Sequence, residues 1–142
     1  MGLDQQACII ANQEKLKEFY TFRYGDPNNT TVFDNADEPQ ELYLHNQYTV
    51  QGFIKELAAS KGLEEDDGLN GAYVRLREED VKRLYKISKD IKLVKEYAEK
   101  WRKGMGTYCD DFDQQQIQDF CHAVMGYAAF DDEYAVYFEG DW

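Results

Sequence analysis

Residues 113–142 read DQQQIQDFCHAVMGYAAFDDEYAVYFEGDW and carry the clearest periodic pattern in the chain. Apolar residues recur every three or four positions across 117–128, which is typical of the buried face of an amphipathic helix. Asp113 is placed to cap the start of this helix, with Gln116 as its capping-box partner. After a polar break, residues 134–138 have the composition and alternation of a strand. The pattern therefore predicts a helix followed by a strand.

The preceding residues mix strand and helix patterns without strict alternation. Strands are predicted at 6–11, 17–24, 72–77 and, as a shorter candidate, 30–33. Helices are predicted at 42–61, from 78 onward and from about 90 to 104. The alternation within 72–77 favours a half-buried strand. This order predicts an α+β fold in a single domain, 1–142, with a small, mostly antiparallel sheet of about four strands and three to four helices packed on one face.

Charge is unevenly distributed along the chain. The net charge of -12 consists of -8 over residues 1–70, +5 over 71–103 and -9 over 104–142, and the last segment contains no Lys or Arg. A large negative charge repels nucleic acid and anionic membranes, and it attracts basic protein surfaces. We therefore expect a partner protein with a basic surface, no direct binding of nucleic acid and no membrane association.

The cysteines and histidines do not form a motif that identifies a reaction. Cys8, Cys109 and Cys121 are irregularly spaced, and no secretory signal is visible, so we expect a reduced, cytoplasmic protein. No paired C-x-x-C indicates zinc, and we predict neither a metal nor a cofactor. His122 follows Cys121, but adjacent side chains on a helix diverge by roughly 100 degrees. This divergence argues against a Cys/His nucleophile pair, and we expect no ligand role for His45.

The opening residues 1–7, Met-Gly-Leu-Asp-Gln-Gln-Ala, resemble those of a family of small uncharacterised bacteriophage and bacterial proteins that begin Met-Gly-Leu-Asp. The predicted helix 42–61, the run VRLREEDV at 74–81 and the acidic, aromatic run VYFEGDW at 136–142 are similar to segments of this family, in the same order. Family members often carry a Trp-Arg-Lys cluster before the first long helix, where this chain has Tyr-Leu-His at 43–45. The resemblance implies a phage or prophage origin. Because this chain has Tyr-Leu-His in place of the Trp-Arg-Lys cluster, the resemblance implies no function that depends on that cluster.

Carboxylates and aromatic side chains near the end of the chain suggest a binding function. Carboxylates spaced over a rigid surface can imitate the phosphates of nucleic acid and occupy a basic groove. We hypothesise a non-enzymatic, phage-type interaction protein that binds and inhibits a host defence protein or nucleic-acid-binding protein, with nucleic-acid mimicry as one mode of binding. The predicted partner-binding residues are Asp110, Asp111, Asp113, Asp131, Asp132, Glu133, Tyr134, Tyr137, Glu139, Asp141 and Trp142.

Two other hypotheses belong to different classes. The first is a small intracellular enzyme or ligand-binding domain with a pocket around His122, Arg75 and Arg77. A concave pocket that joins these three side chains would favour it. The second is a homo-oligomer in which the predicted strand at 134–138 pairs at an exposed edge of the sheet.

Overall fold

The computed structural model describes residues 3–11, 21–23, 40–62, 72–105 and 113–141. In these segments the chain forms, in order, β1 (Asp4–Ala11), β2 (Thr21–Arg23), β3 (Gln40–His45), α1 (Tyr48–Ser60), β4 (Ala72–Leu76), α2 (Glu78–Ser88), α3 (Ile91–Met105), α4 (Gln114–Ala128) and β5 (Tyr134–Asp141). The predicted positions 17–20, 24 and 30–33 lie outside the described residues.

The described strands form one sheet in the order β2-β4-β5-β1-β3, and each neighbouring pair is antiparallel. The predicted α+β class is confirmed, with five strands in place of about four. Strand β5 lies in the centre of the sheet, between β4 and β1. The prediction that this strand pairs with a second copy at an exposed edge is therefore wrong, because both of its edges are already occupied.

Both faces of the central strands are buried. Side chains alternate between the two faces of a strand. On one face Ala7, Ile9, Val74, Val136 and Phe138 pack with α1, α2 and α4 in the hydrophobic core. The opposite face bears buried side chains as well, namely Cys8, Ile10, Tyr73, Arg75 and Tyr137. Strand β4 is therefore buried along its whole length, and the prediction that it is half-buried is wrong.

Helix α1 lies between the sheet and α3. Its residues Phe53 and Ile54 are buried in the core, and Gly52 is in close contact with the backbone of α3. A Cβ atom at Gly52 would lie 1.8 Å from the carbonyl oxygen of Tyr97, so only glycine allows this approach. The hydroxyl of Thr49 donates to the carbonyl oxygen of Val94 at 2.8 Å. Close backbone contact and this bond hold α3 against α1.

The prediction of a helix beginning at residue 42 is wrong, because the chain forms β3 before α1. Asn46 ends the strand with a φ of 53°, a left-handed conformation that Asn adopts more readily than most residues. Its side-chain oxygen accepts a hydrogen bond from the backbone N–H of Leu3 at 2.7 Å, and its own N–H donates to the carbonyl of Leu3 at 2.9 Å. These two bonds fasten the end of β3 to the start of β1 and redirect the chain into α1.

The predicted helix starts at Asp113 and Asp90 are confirmed. The Asp113 carboxylate accepts a hydrogen bond from the backbone N–H of Gln116 at 2.9 Å, and Asp90 accepts one from Lys92 at 2.9 Å. The side chain of Gln116 bonds to Gln47 of the α1 start and so contributes to tertiary structure. Helix α4 is thereby fixed beside β3 and the start of α1.

Candidate interaction surface

The described Lys and Arg residues lie on, or directly beside, β2, β4, α1, α2 and α3, which we call the cationic half. The remaining elements β1, β3, β5 and α4 contain no Lys or Arg, and we call them the acidic half. The strand order brings β5, β1 and β3 together on one side of the sheet. The strand order therefore groups the strands without Lys or Arg on one side of the sheet, and α4 borders α2 of the cationic half.

In the cationic half, carboxylates are bound by basic side chains. Arg75 is 1% exposed, and its guanidinium donates to Asp131 at 2.8 Å. Arg77 donates to both carboxylate oxygens of Asp131, at 3.1 and 2.9 Å. Lys61 donates to the carbonyl of Arg75 at 2.7 Å and to Asp80 at 3.2 Å. Burial lowers the pKa of Lys61, although the charge of Asp80 opposes this effect.

Glu56 on α1 links three elements of the cationic half. Its carboxylate accepts hydrogen bonds from Arg83 of α2 at 2.6 Å, and from Lys100 at 2.6 Å and Tyr97 at 3.0 Å on α3. Burial alone would raise the pKa of Glu56, but the bonds from Lys100, Tyr97 and Arg83 and the charge of Lys100 together lower it. The ionised form of Glu56 is therefore part of what connects these helices.

In the acidic half, polar contacts are made mainly by neutral amides. The Gln5 side chain donates to the carbonyl of Gln47 at 3.0 Å and to Gln51 at 3.2 Å, and it accepts from the Gln47 N–H at 2.8 Å. Gln47 continues the network to Gln116 of α4. A Cβ atom at Gly140 would lie 2.4 Å from the Gln51 side-chain oxygen, so β5 leaves room for this amide. These bonds join β1, α1 and α4 without using charge.

The exposed side chains of the acidic half lie along the sheet edge formed by β3 and along α4. We call the following set the acidic edge: Asp4, Glu41, Tyr43, Asp113 and Asp119. The four carboxylates are exposed, and Tyr43 is 70% exposed. Within the described residues, none of these carboxylates bonds to Lys or Arg; their polar contacts are with His45, Tyr43, the Gln116 N–H and Gln115.

A shallow depression of about 520 Å³ lies at the start of this edge, with Asp4, Tyr43, His45 and Gln116 in its lining. The Nδ1 atom of His45 lies 3.2 Å from Asp4. The Tyr43 hydroxyl donates to Glu41, and this hydrogen bond to the carboxylate raises the pKa of Tyr43. Asp4, Tyr43 and His45 therefore lie together on one face of the sheet edge, and α4 borders the same depression through Gln116.

The predicted carboxylates fall into two groups at opposite ends of α4, which spans 15 residues or about 21 Å. Asp113 is exposed at the start of the helix, and Asp132 and Glu133 are exposed beyond its end. Asp131 is bound to the two arginines of the cationic half. The predicted acidic face is therefore not continuous from Asp113 to Glu133.

The other predicted residues have different environments. Tyr134 is half-buried and packs edge-on against Tyr127 at 5.1 Å between ring centroids. Glu139 is partly buried and accepts a hydrogen bond from Gln6 at 3.2 Å. Tyr137 is fully buried beside Arg75, which is incompatible with a role as a surface anchor. The backbone of Asp141 pairs with Asp4 in the sheet, whereas Asp110, Asp111 and Trp142 lie outside the described residues.

In the described part of the chain, His122 and Arg75 lie in different places, and neither described depression joins His122 to Arg77. His122 is exposed on α4 and stacks on Tyr85 with a centroid distance of 5.0 Å. Arg75 lies on the sheet face opposite the helices. The depression beside Arg77 is lined also by Ser60, Lys61, Glu79 and Asp80, and not by His122.

The buried thiols are poor candidates for nucleophiles. Burial raises the pKa of Cys121 to about 12, so the thiol stays protonated at neutral pH. Burial, with the charges of Glu139 and Glu41, raises the pKa of Cys8 to about 12 as well. Neither cysteine has the lowered pKa that activates a catalytic thiol.

Sequence reasoning missed the contribution of β3 and β1 to this surface. The signal was present, because Leu42 and Leu44 alternate with Glu41, Tyr43 and His45 at the spacing of a strand. The sequence predicts the start of a helix over these positions, and the predicted binding residues include neither Glu41 nor Tyr43. The position of Asp4 beside them depends on pairing between distant segments, which no local pattern encodes.

Comparison with protein-family models, with curated proteins and with solved structures finds no match to this chain. Among the described residues, no group of three or more His, Cys, Asp or Glu side chains is arranged to hold a metal ion. No helix in the described part of the chain combines the length and apolar character needed to cross a bilayer. The function is therefore inferred from the surface itself.

Proposed function

We propose that the protein is a non-enzymatic interaction protein of phage type that binds a basic surface of a host protein through the acidic edge. The host protein is a defence protein or another protein that binds nucleic acid, and occupation of its basic surface inhibits it. The observation that carries this proposal is the separation of charge between the two halves of the fold.

One carboxylate of the acidic edge, Asp113, caps helix α4, and the other three have no such role in a helix start. Asp4, Glu41 and Asp119 are exposed, and no described Lys or Arg binds them. A basic partner would be attracted to these carboxylates over a distance, which raises the association rate. Tyr43, which is 70% exposed, has the amphipathic side chain that interfaces favour as an anchor.

A pull-down from host lysate with two charge-reversal variants tests the proposal. Glu41→Lys with Asp119→Lys alters the acidic edge, and Glu79→Lys with Glu96→Lys makes the same change in net charge on exposed positions of α2 and α3. We expect wild type and the α2/α3 variant to capture the same partner at low salt, and the edge variant to lose it. Wild type should also lose the partner at high salt, because salt screens the attraction between exposed charges.

Competition with nucleic acid then tests the mode of inhibition. Duplex DNA or RNA added to the captured complex should displace the partner if the acidic edge occupies the partner's nucleic-acid-binding surface. A partner captured equally well by both charge-reversal variants would contradict the proposed function.

A further inference from the structure

Strand β3 forms an edge of the sheet, and within the described residues no strand pairs with its outer side. Proteins usually protect such edges with Lys, Pro or a bulge, because unpaired backbone groups invite a further strand. The β3 sequence QELYLH contains neither Lys nor Pro, and its register with β1 is continuous from Gln40 to His45. Among the residues that the structure describes, this edge is therefore open to pairing.

The hydrogen bond at the end of the β1–β3 ladder shows which backbone N–H and C=O groups of β3 point outward. The Asn46 N–H donates to the Leu3 carbonyl, so these two residues form a hydrogen-bonded pair. Such pairs alternate with non-hydrogen-bonded pairs in an antiparallel ladder. In β3, the residues in non-hydrogen-bonded pairs are Glu41, Tyr43 and His45. Their N–H and C=O groups therefore point away from β1.

The same residues carry the exposed side chains of the strand. Glu41, Tyr43 and His45 lie on one face because they alternate with Leu42 and Leu44. Each is exposed, whereas Leu44 is 4% exposed and belongs to the core. Outward backbone groups and exposed acidic and aromatic side chains therefore coincide along one edge.

We propose that β3 binds an extended, basic segment of the partner protein, which adds to the sheet as a further strand. This proposal rests on the proposed function and specifies its binding mode. Strand addition supplies affinity through main-chain hydrogen bonds, and side chains at alternate positions supply specificity. A Lys or Arg opposite Glu41 and an apolar residue opposite Tyr43 make favourable cross-strand pairs. The carboxylates of Asp4 and Asp119 attract further basic residues.

Proline substitution separates the backbone contribution from the side-chain contribution. The Tyr43 N–H points away from β1, so Tyr43→Pro leaves the existing ladder intact and is of the kind that natural edge strands tolerate. It nevertheless removes a donor that an added strand requires. Tyr43→Ala serves as the matched control, since it removes the same ring and keeps the N–H. Thermal unfolding of both variants verifies that they are folded.

The probe is a labelled peptide with the repeat Arg-Thr-Val-Thr, which places arginine and valine in turn on one face of an added strand, titrated against the full chain by fluorescence anisotropy. We expect Tyr43→Pro to weaken binding about tenfold or more relative to Tyr43→Ala, which corresponds to the loss of roughly one or two main-chain hydrogen bonds. In the wild-type protein, bound peptide should slow hydrogen exchange at the amides of Glu41, Tyr43 and His45. This second measurement stays decisive if the proline variant does not fold.

The outcomes distinguish the two proposals. Equal peptide binding by the Pro and Ala variants, or no added protection at the three amides, would overturn strand addition. If Glu41→Lys with Asp119→Lys still abolishes capture of the partner in that case, the proposed function stands with a different binding mode. If charge reversal also has no effect on capture, both proposals fail.

Discussion

The two halves of the molecule are held together by different chemistry. In the cationic half, ionised side chains such as Glu56 and Asp131 connect separate elements. In the acidic half, the neutral amides of Gln5 and Gln47 make the equivalent connections, and the carboxylates face outward. Carboxylates thus connect elements through Lys and Arg in one half, whereas in the other Asp113 caps α4 and Asp4, Glu41 and Asp119 are exposed without a described Lys or Arg bound to them. Substitutions of the same kind in the two halves should therefore change the free energy of unfolding by different amounts, and in two cases in opposite directions.

The largest difference is expected between two helical glycines. Gly52→Ala in the cationic half places a Cβ atom 1.8 Å from the Tyr97 carbonyl oxygen, and α1 and α3 must separate. Overpacking of this kind destabilises by about 3 kcal/mol. Gly126→Ala on α4 meets no atom within 4 Å and should instead stabilise the protein by up to about 1 kcal/mol, because alanine favours the helix. Urea unfolding of both variants measures the two free energies.

A destabilisation of Gly52→Ala no larger than about 0.5 kcal/mol would show that α3 does not pack tightly against α1. The Gly126→Ala variant controls for helix propensity, since both substitutions gain the same intrinsic preference. The difference between them therefore reports the contact between the helices alone.

The sequence predicted elements with strong local signals and missed those that depend on distant pairing. Helix α4 and its cap at Asp113 follow from periodicity and side-chain chemistry within one segment. The segment at 40–45 directly precedes a helix, and its conformation is set by hydrogen bonds between Asn46 and Leu3, which is far away in the chain. The burial of β4 on both faces depends in the same way on its neighbours in the sheet.

Removal of Asp131 should have the next largest effect. Asp131→Ala leaves the buried guanidinium of Arg75 without the carboxylate that it bonds at 2.8 Å. Breaking a buried ion pair costs roughly 3–5 kcal/mol, and we expect about 2 kcal/mol because Asp131 itself is 49% exposed. Glu133→Ala, two residues away in the same turn, is the matched control and should change the free energy of unfolding by less than about 0.5 kcal/mol.

Equal unfolding free energies for the two variants would mean that Asp131 is not needed to hold Arg75, and that its carboxylate is available to a partner as the sequence hypothesis assumed. That hypothesis treated the carboxylates of 110–113 and 131–141 alike and left out Asp119, because net charge along a segment does not reveal which groups are bound internally. Asp131 is separated from Arg75 by 56 positions, and only the fold brings them together. The distinction between binding and structural carboxylates was therefore beyond the reach of the sequence.

The smallest expected difference is between substitutions of Glu56 and Asp119. The two should change the free energy of unfolding in opposite directions, and the effect at Glu56 depends on pH. The pKa of Glu56 is lowered in the folded protein, so its contribution to stability is present above the unfolded pKa of about 4.3 and is lost as pH falls through the lowered value. Glu56→Gln should therefore destabilise at pH 7 by less than about 1 kcal/mol, and the difference from wild type should disappear in acid. Asp119→Asn should leave the protein unchanged or stabilise it by less than about 0.5 kcal/mol at low salt, because it relieves repulsion in the acidic half.

Urea unfolding of both variants at pH 7 and at pH 3, each at low and high salt, measures this contrast. Added salt should reduce both effects, since both groups are reached by solvent. A destabilised Asp119→Asn variant at pH 7 would show that this carboxylate supports the fold, as Glu56 does. The carboxylates of the acidic edge would then be explained by a role in stability. The difference between the two halves would no longer favour a binding role for them.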